Sequence, residues 1–222
     1  MRSVVLKASV RCHACRLSPR WCICPVFQPV EIPLAVDVLI HHRELHRPSS
    51  TGHLVNRIVS GSRQHLWRRE RRIHADELRL PGREIWVLHP AGDPLPVNVP
   101  PERVQVVLLD GSWREASAMA REIGGDVRTV SLPMPTTGES RYWLRTQQDG
   151  GRFSTAEAML FLLEAFGLAA AHAELRRQFE LHVYAHLRAR GSKEDALKFL
   201  KDSPAREAFA ELIAQLDVSR PR

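Results

Sequence analysis

The sequence predicts an α/β protein: a largely parallel sheet with helices on both faces, preceded by a small cysteine-bearing segment and followed by a helical C-terminal part. Three observations lead there. The runs Leu34–Ile40, Glu84–His89 and Val104–Leu109 have the length and apolar character of buried strands. Helical patterns fall between and after such runs, and an alternation of that kind implies parallel strands. Ser112-Trp113-Arg114-Glu115 and Ser154-Thr155-Ala156-Glu157 both have the S-x-x-E form of a capping box, which marks two helix starts.

Taken in order, residues 1–33 carry all four cysteines and end in Pro25, Pro29 and Pro33. The Leu34–Ile40 strand follows, then His41-His42-Arg43-Glu44, a short loop, and a helix from about Ser50 to Val59. Arg63–Trp67 reads as a strand, and Arg68–Gly82 as polar and irregular. Glu84–His89 is a strand closed by Pro90. Ala91–Pro101, with four prolines, is a loop. Val104–Leu109, the Ser112 helix and a last strand over Val127–Leu132 complete the sheet. Pro133–Gly151 is a long loop, a length that usually signals function or motion. The helix Ala156–Phe166 leads into a second from about Leu168 to Ala189, stopped by Gly191. Ser192 and Ser203 read as N-caps, with Pro204 at a first helical position. This divides the chain into 1–33, an α/β domain over 34–190, and a helical extension over 191–222.

The chain has 222 residues, 44% hydrophobic and 26% charged, an ordinary globular composition. Its formal charge of +7 favours a polyanionic partner, most simply nucleic acid, although many basic proteins bind none. No apolar stretch approaches a membrane span, and the run within Met1–Lys7 is too short for a secretory signal, so a cytoplasmic protein with no membrane partner is expected. Neither a dinucleotide fingerprint nor a P-loop is present.

Cys12-x-x-Cys15 and Cys22-x-Cys24 supply two thiolate pairs from two short turns. Four thiolates make a closed tetrahedral zinc site, structural because no ligand position stays open. Disulfides are disfavoured in a cytoplasmic chain. His13 lies inside the cluster and is read as solvated.

Leu109-Asp110-Gly111-Ser112-Trp113 joins a strand end to a helix start, the place where open α/β proteins bind ligands. Two readings stand for Asp110, a turn residue bonding the loop amides or an acid placed for chemistry. Trp113 is either a core side chain in a first helical turn or a stacking platform.

Four motifs in order, Cys12-x-x-Cys15…Cys22-x-Cys24-Pro25, Pro48-Ser49-Ser50-Thr51-Gly52, Leu109–Trp113 and Ser154-Thr155-Ala156-Glu157-Ala158, resemble the DTW-domain proteins, the tRNA-uridine aminocarboxypropyltransferases. Ser112 stands where the family has threonine, and His41-His42 stands where relatives tend to show a His-Pro pair. The resemblance implies a SPOUT-like sheet ending in a trefoil knot that binds S-adenosylmethionine. It also implies transfer of the 3-amino-3-carboxypropyl group to the imide nitrogen of a tRNA uridine, with release of methylthioadenosine. On this reading Asp110 takes or orients the imide proton and Trp113 stacks on a base or on adenine. The cofactor pocket then draws on His89, Pro90, Gly111, Ser112 and the stretch from Leu132 to Pro135. Ser154 and Thr155 meet the carboxylate of S-adenosylmethionine, and Glu157 its amine. Thr51, Arg68, Arg69, Arg141 and Arg145 are candidates for RNA contact, against the plainer reading of solvated charge and helix capping. Two other functions fit the same residues: a SPOUT-type RNA methyltransferase, and a zinc-bearing RNA-binding protein without catalysis.

Overall fold

A computed structural model describes residues 10–133, 140–145 and 153–217. Among them five strands form one parallel sheet in the order β2-β1-β4-β3-β5. In chain order the elements are β1 (Ala35–His41), α1 (Thr51–Ile58), β2 (Arg63–Trp67), α2 (Ala75–Leu78), β3 (Glu84–Pro94), β4 (Val104–Asp110), α3 (Trp113–Glu122) and β5 (Arg128–Ser131). Then come α4 (Thr155–Ala165), α5 (Ala169–Ala189), α6 (Lys193–Leu200), α7 (Ala205–Ala208) and α8 (Ala210–Asp217).

Side chains alternate across the pleat, and each face has its own core. Val36, Val38 and Ile40 of β1 and Val106 and Leu108 of β4 pack with α1, α4 and α5. Leu39, Val87 and Val107 point the other way, onto α2 and onto Met119 of α3. The first core also takes in Cys15, Leu17 and Ile23 from the N-terminal segment and Phe199, Leu200 and Leu212 from the C-terminal helices. No described helix is long and apolar enough to cross a membrane.

From Ala35 to Ile40 β1 is apolar except for Asp37, which is fully buried within the sheet. Its carboxylate accepts two hydrogen bonds from Arg63 at 2.8 Å, one from Gln105 at 2.7 Å, and lies 2.7 Å from His65 Nε2. A buried acid at a strand centre therefore cross-links β1 to both of its neighbours, β2 and β4, and holds their register.

Three expectations need correction. β3 does not close at Pro90 but runs to Pro94, so the expected loop over Ala91–Pro101 loses its first part. The β3–β5 ladder skips from Leu88 to Asp93, and a proline is tolerated inside such a bulge. Gly92 makes the bulge possible: a Cβ there would lie 2.6 Å from the Thr129 carbonyl carbon and the Val130 nitrogen. The stretch Arg68–Gly82 contains α2, capped by His74 and Glu77. Pro204, expected at the first helical position, is instead the N-cap of α7, and Ser203 Oγ accepts from the Ala205 amide just before that helix.

Burial alone would raise the Asp37 carboxyl, but donation from His65, Arg63 and Gln105 outweighs it and holds the group below the usual carboxylate range. A depressed acid stabilises the fold above its unfolded value, near pH 4, and that contribution is lost as the pH falls through the folded value. Asp37→Asn should thus lower stability at neutral pH by about 2 kcal/mol, the partial exposure of Arg63 keeping the loss modest. Urea unfolding should show the gap between variant and parent closing below about pH 4.

Candidate functional site

The strand order reverses between β1 and β4: after β1 the chain moves to β2 at one edge, and after β4 it moves past β3 to β5 at the other. Ligand crevices of open α/β sheets form at the carboxyl ends of strands beside such a point. A cavity of about 280 Å³ lies there, walled by the ends of β3, β4 and β5 and by the starts of α1, α3 and α4. Leu88, Leu108, Leu109, Ala116, Leu132, Ala158, Phe153 and Phe161 make its apolar wall. Asp110, Thr51, His89, Ser154, Thr155 and Arg145 bring polar groups to it.

Asp110 is the last residue of β4 and is buried. Its Oδ2 accepts from Ser50 Oγ at 2.6 Å, and its Oδ1 from the Gly52 amide at 3.2 Å and from Thr155 Oγ1 at 2.7 Å. Gly52 and Thr155 belong to the first turns of α1 and α4, so two helix N-termini converge on one carboxylate. Position 52 must be glycine for this approach, since a Cβ there would sit 2.6 Å from the Asp110 carboxyl carbon. Beyond Gly111, Ser112 and Glu115 close the expected capping box, and Glu115 also lies 3.3 Å from Nδ1 of buried His41. Trp113 opens α3 at the cavity mouth with 38% of its surface exposed, which excludes the core reading.

Arg145 lines the cavity and pairs with Glu44 at 3.2 Å; Arg47 holds the other Glu44 oxygen at 2.7 Å. Glu44 is buried, and burial pushes its carboxyl up, against the pull of Arg145 and with a further push from Asp110. Tyr142 forms the wall beside Arg145, and its hydroxyl donates to the Ser49 carbonyl at 2.5 Å. His89 Nδ1 accepts from the Ala91 amide at 3.2 Å, so Nε2 carries the proton toward Ser117 Oγ at 3.0 Å. Burial keeps that ring below the ordinary histidine value, with Arg121 adding to the shift.

The four cysteines form a separate cluster, all Sγ atoms within 4.8 Å of one another. The Cys12–Cys24 and Cys15–Cys22 separations are 3.6 and 3.7 Å, far too long for disulfides. They match the edge of about 3.8 Å expected for four sulfurs at about 2.3 Å from a central zinc. The Cys15 amide, with that of Ala14, lowers the Cys12 thiol to about 6, while burial raises Cys15 and Cys24. A cation at the centre would compensate the charge that burial opposes.

Residues 9–187 match the family described as DTW domain. The chain belongs to the DTW domain family. No solved structure matches it. The family match takes in the cysteine pairs, the Ser50–Gly52 turn, the Asp110–Trp113 corner and the Ser154–Ala158 motif, and ends within α5.

Within this DTW-domain chain the predicted site residues separate. Asp110, Gly111, Trp113, Thr51, His89, Pro90, Leu132, Ser154, Thr155 and Arg145 meet at the cavity. Ser112 is exposed and occupied in capping α3. Glu157 faces away: its buried carboxylate accepts from Ser140 Oγ, the Arg141 amide and the Ser154 amide, and so fastens residues 140–141 to α4. Arg141 turns inward to Glu180 at 2.9 Å and to the Phe199 carbonyl, an internal tie in place of an RNA contact. Arg68 and Arg69 are exposed just past the end of β2, on the same rim as the cavity. Met134 and Pro135 lie outside the described residues. Sequence reasoning missed Glu44, Phe153 and Phe161, whereas Tyr142 stands between Arg141 and Arg145 in a basic and aromatic stretch that suits RNA or a carboxylate. Ser50 stood inside a quoted motif, but Glu44 sits among arginines in a polar stretch, and no periodicity marks its burial.

Metal analysis of protein purified under reducing conditions should return about one zinc per chain. Cys22→Ser should lose most of that metal and unfold at a lower temperature, read by calorimetry beside the metal assay.

Proposed function

We propose that this chain modifies tRNA, transferring the 3-amino-3-carboxypropyl group of S-adenosylmethionine to the imide nitrogen of a uridine. The observation that carries the reading is the convergence of the Asp110–Trp113 corner, the start of α4 and Arg145 on one apolar-walled cavity, in a chain of the DTW family. The apolar wall suits an adenine ring. Arg145 and the amide end of α4, with the Ser154 hydroxyl, suit a carboxylate. With Glu157 turned away, Asp110 is the acid that lines the cavity and suits the amine of that group.

The imide nitrogen forms a bond to the γ-carbon as the carbon–sulfur bond breaks. The bonding pair goes to sulfur, which neutralises the sulfonium, and methylthioadenosine leaves. The imide proton must depart first, and Asp110 orients or accepts it at the oxygen edge left by its three donors. Because all three carbons on sulfur are activated, positioning selects the one that reacts. Trp113 at the mouth offers a stacking face for the target base. Arg68, Arg69 and Arg114 are exposed on or beside the same rim and suit a phosphate backbone.

The knotted SPOUT arrangement belongs to the same reading. It is supported by the strand order and by the return of the chain from the β5 edge to pack α4 beside α1 over β4. Residues 1–33 then form a structural zinc knuckle, 34–190 the catalytic domain and 191–222 a helical extension. Four free thiols suit a reducing cytoplasm.

Incubation with tRNA and S-adenosylmethionine labelled in the carboxyl or in the methyl carbon decides the reaction. Carboxyl label should enter RNA; methyl label would make the chain a methyltransferase, and no label in any tRNA pool would leave a binder. Asp110→Asn preserves the local shape, since its amide can donate to Ser50 Oγ. It should keep tRNA affinity while product formation drops by about 100-fold or more.

A further inference from the structure

The β1–α1 connection carries Glu44, and through Glu44 it sets the place of Arg145 in the cavity wall. Its own position is held from outside. Nη1 of Arg16 donates to the Leu45 carbonyl at 2.5 Å, and His53 Nε2 lies 2.9 Å from the same oxygen. Arg16 belongs to the cysteine knuckle, directly after Cys15. There the Arg16 amide donates to the Cys12 carbonyl, and the Cys12 amide donates to the Leu17 carbonyl, both at 2.8 Å.

Closing that turn puts Arg16 at φ +61°, in the left-handed region. Glycine occupies this region freely, whereas an arginine there is strained. The side chain that replaces the easier residue spans 29 positions of sequence to reach Leu45. A guanidinium on a carbonyl is among the stronger hydrogen bonds, and this one is partly buried. We propose that Arg16 is a positioning residue that couples the cysteine knuckle to the cavity, through the Leu45 carbonyl to Glu44 and from Glu44 to Arg145. The proposal rests on the reading of the cavity as the S-adenosylmethionine site.

The route is mechanically direct. Glu44 is held in the loop by its amide, bonded to the His41 carbonyl at 2.8 Å, while the Arg47 amide bonds the Glu44 carbonyl at 2.9 Å. Its carboxylate is shared between Arg47 and Arg145, so a shift of the 44–45 backbone moves the Arg145 partner. The same loop ends in Ser50, which donates to Asp110. Removing the Arg16 bond leaves the Leu45 carbonyl to His53 alone and so loosens the support of both charged groups in the wall.

The test compares the full chain with Arg16→Gly and Arg16→Lys. Arg16→Gly should keep its full metal content and melt within a few degrees of the parent, because relief of the backbone offsets part of the lost hydrogen bond. Hydrogen exchange at the Glu44, Arg47 and Ser50 amides should speed up about tenfold, and calorimetry should show S-adenosylmethionine binding weakened about threefold to tenfold. Arg16→Lys still reaches the Leu45 carbonyl and should stay within about twofold of the parent in both readouts. Unchanged loop exchange in metal-loaded Arg16→Gly would overturn the coupling. So would loss of metal from that variant, since Arg16 would then serve only the knuckle. If the parent binds no S-adenosylmethionine while the loop exchange still responds, the ligand assignment fails and the coupling stands.

Discussion

One buried carboxylate organises the cavity. Asp110 ends the central strand β4 and receives three hydrogen bonds from two distant segments, the start of α1 and the start of α4. A buried carboxylate costs several kcal/mol if left alone. Here three donors and the positive ends of two helices compensate it, each charged hydrogen bond worth about 1.5–3 kcal/mol. The same contacts that make the charge tolerable fix the separation of α1 from α4, and with it the width of the crevice. Gly52 is the geometric condition of this arrangement, because any side chain there would occupy the space of the carboxyl group.

Buried acids elsewhere in the fold follow the same logic with arginine as the donor. Asp37 binds Arg63 between β1 and β2, Glu44 binds Arg47 and Arg145 at the cavity, and Glu180 binds Arg141 and Arg176 on α5. Several of the basic residues behind the net charge of +7 are thus already paired with acids of the fold. Among the described residues, the exposed arginines on or beside the cavity rim that suit a polyanion include Arg68, Arg69 and Arg114. Net charge alone points to a partner and says little about where it docks.

Much of the fold was legible because its signals are local. Ser112 with Glu115 and Ser154 with Glu157 are capping boxes spanning three residues, and both helices begin where those boxes place them. β1, β2, β4 and β5 lie within one or two residues of the spans that read as strands. β3 outran its expected end because Pro90 was read as a stop, whereas the bulge at Gly92 depends on the neighbouring strand β5. At the site, the Asp110–Trp113 corner could be found from a strand end meeting a helix cap. Glu157 caps α4 as its S-x-x-E spacing predicts, but the same carboxylate also serves a distant loop, and only the first partner is close in sequence.

The sequence by itself determined most of the secondary elements, though neither α2 nor the far end of β3, together with the cysteine pairs and the acid at a strand end, since each follows from neighbours a few residues apart. Only the tertiary structure decided what that acid touches. Its donors lie 45 to 60 residues away, and no short-range pattern encodes a contact of that span. It also decided that Glu157 and Arg141 face inward while Arg145 faces the cavity. Burial beside a partner from another element sets which charges are consumed and which stay free to meet a ligand.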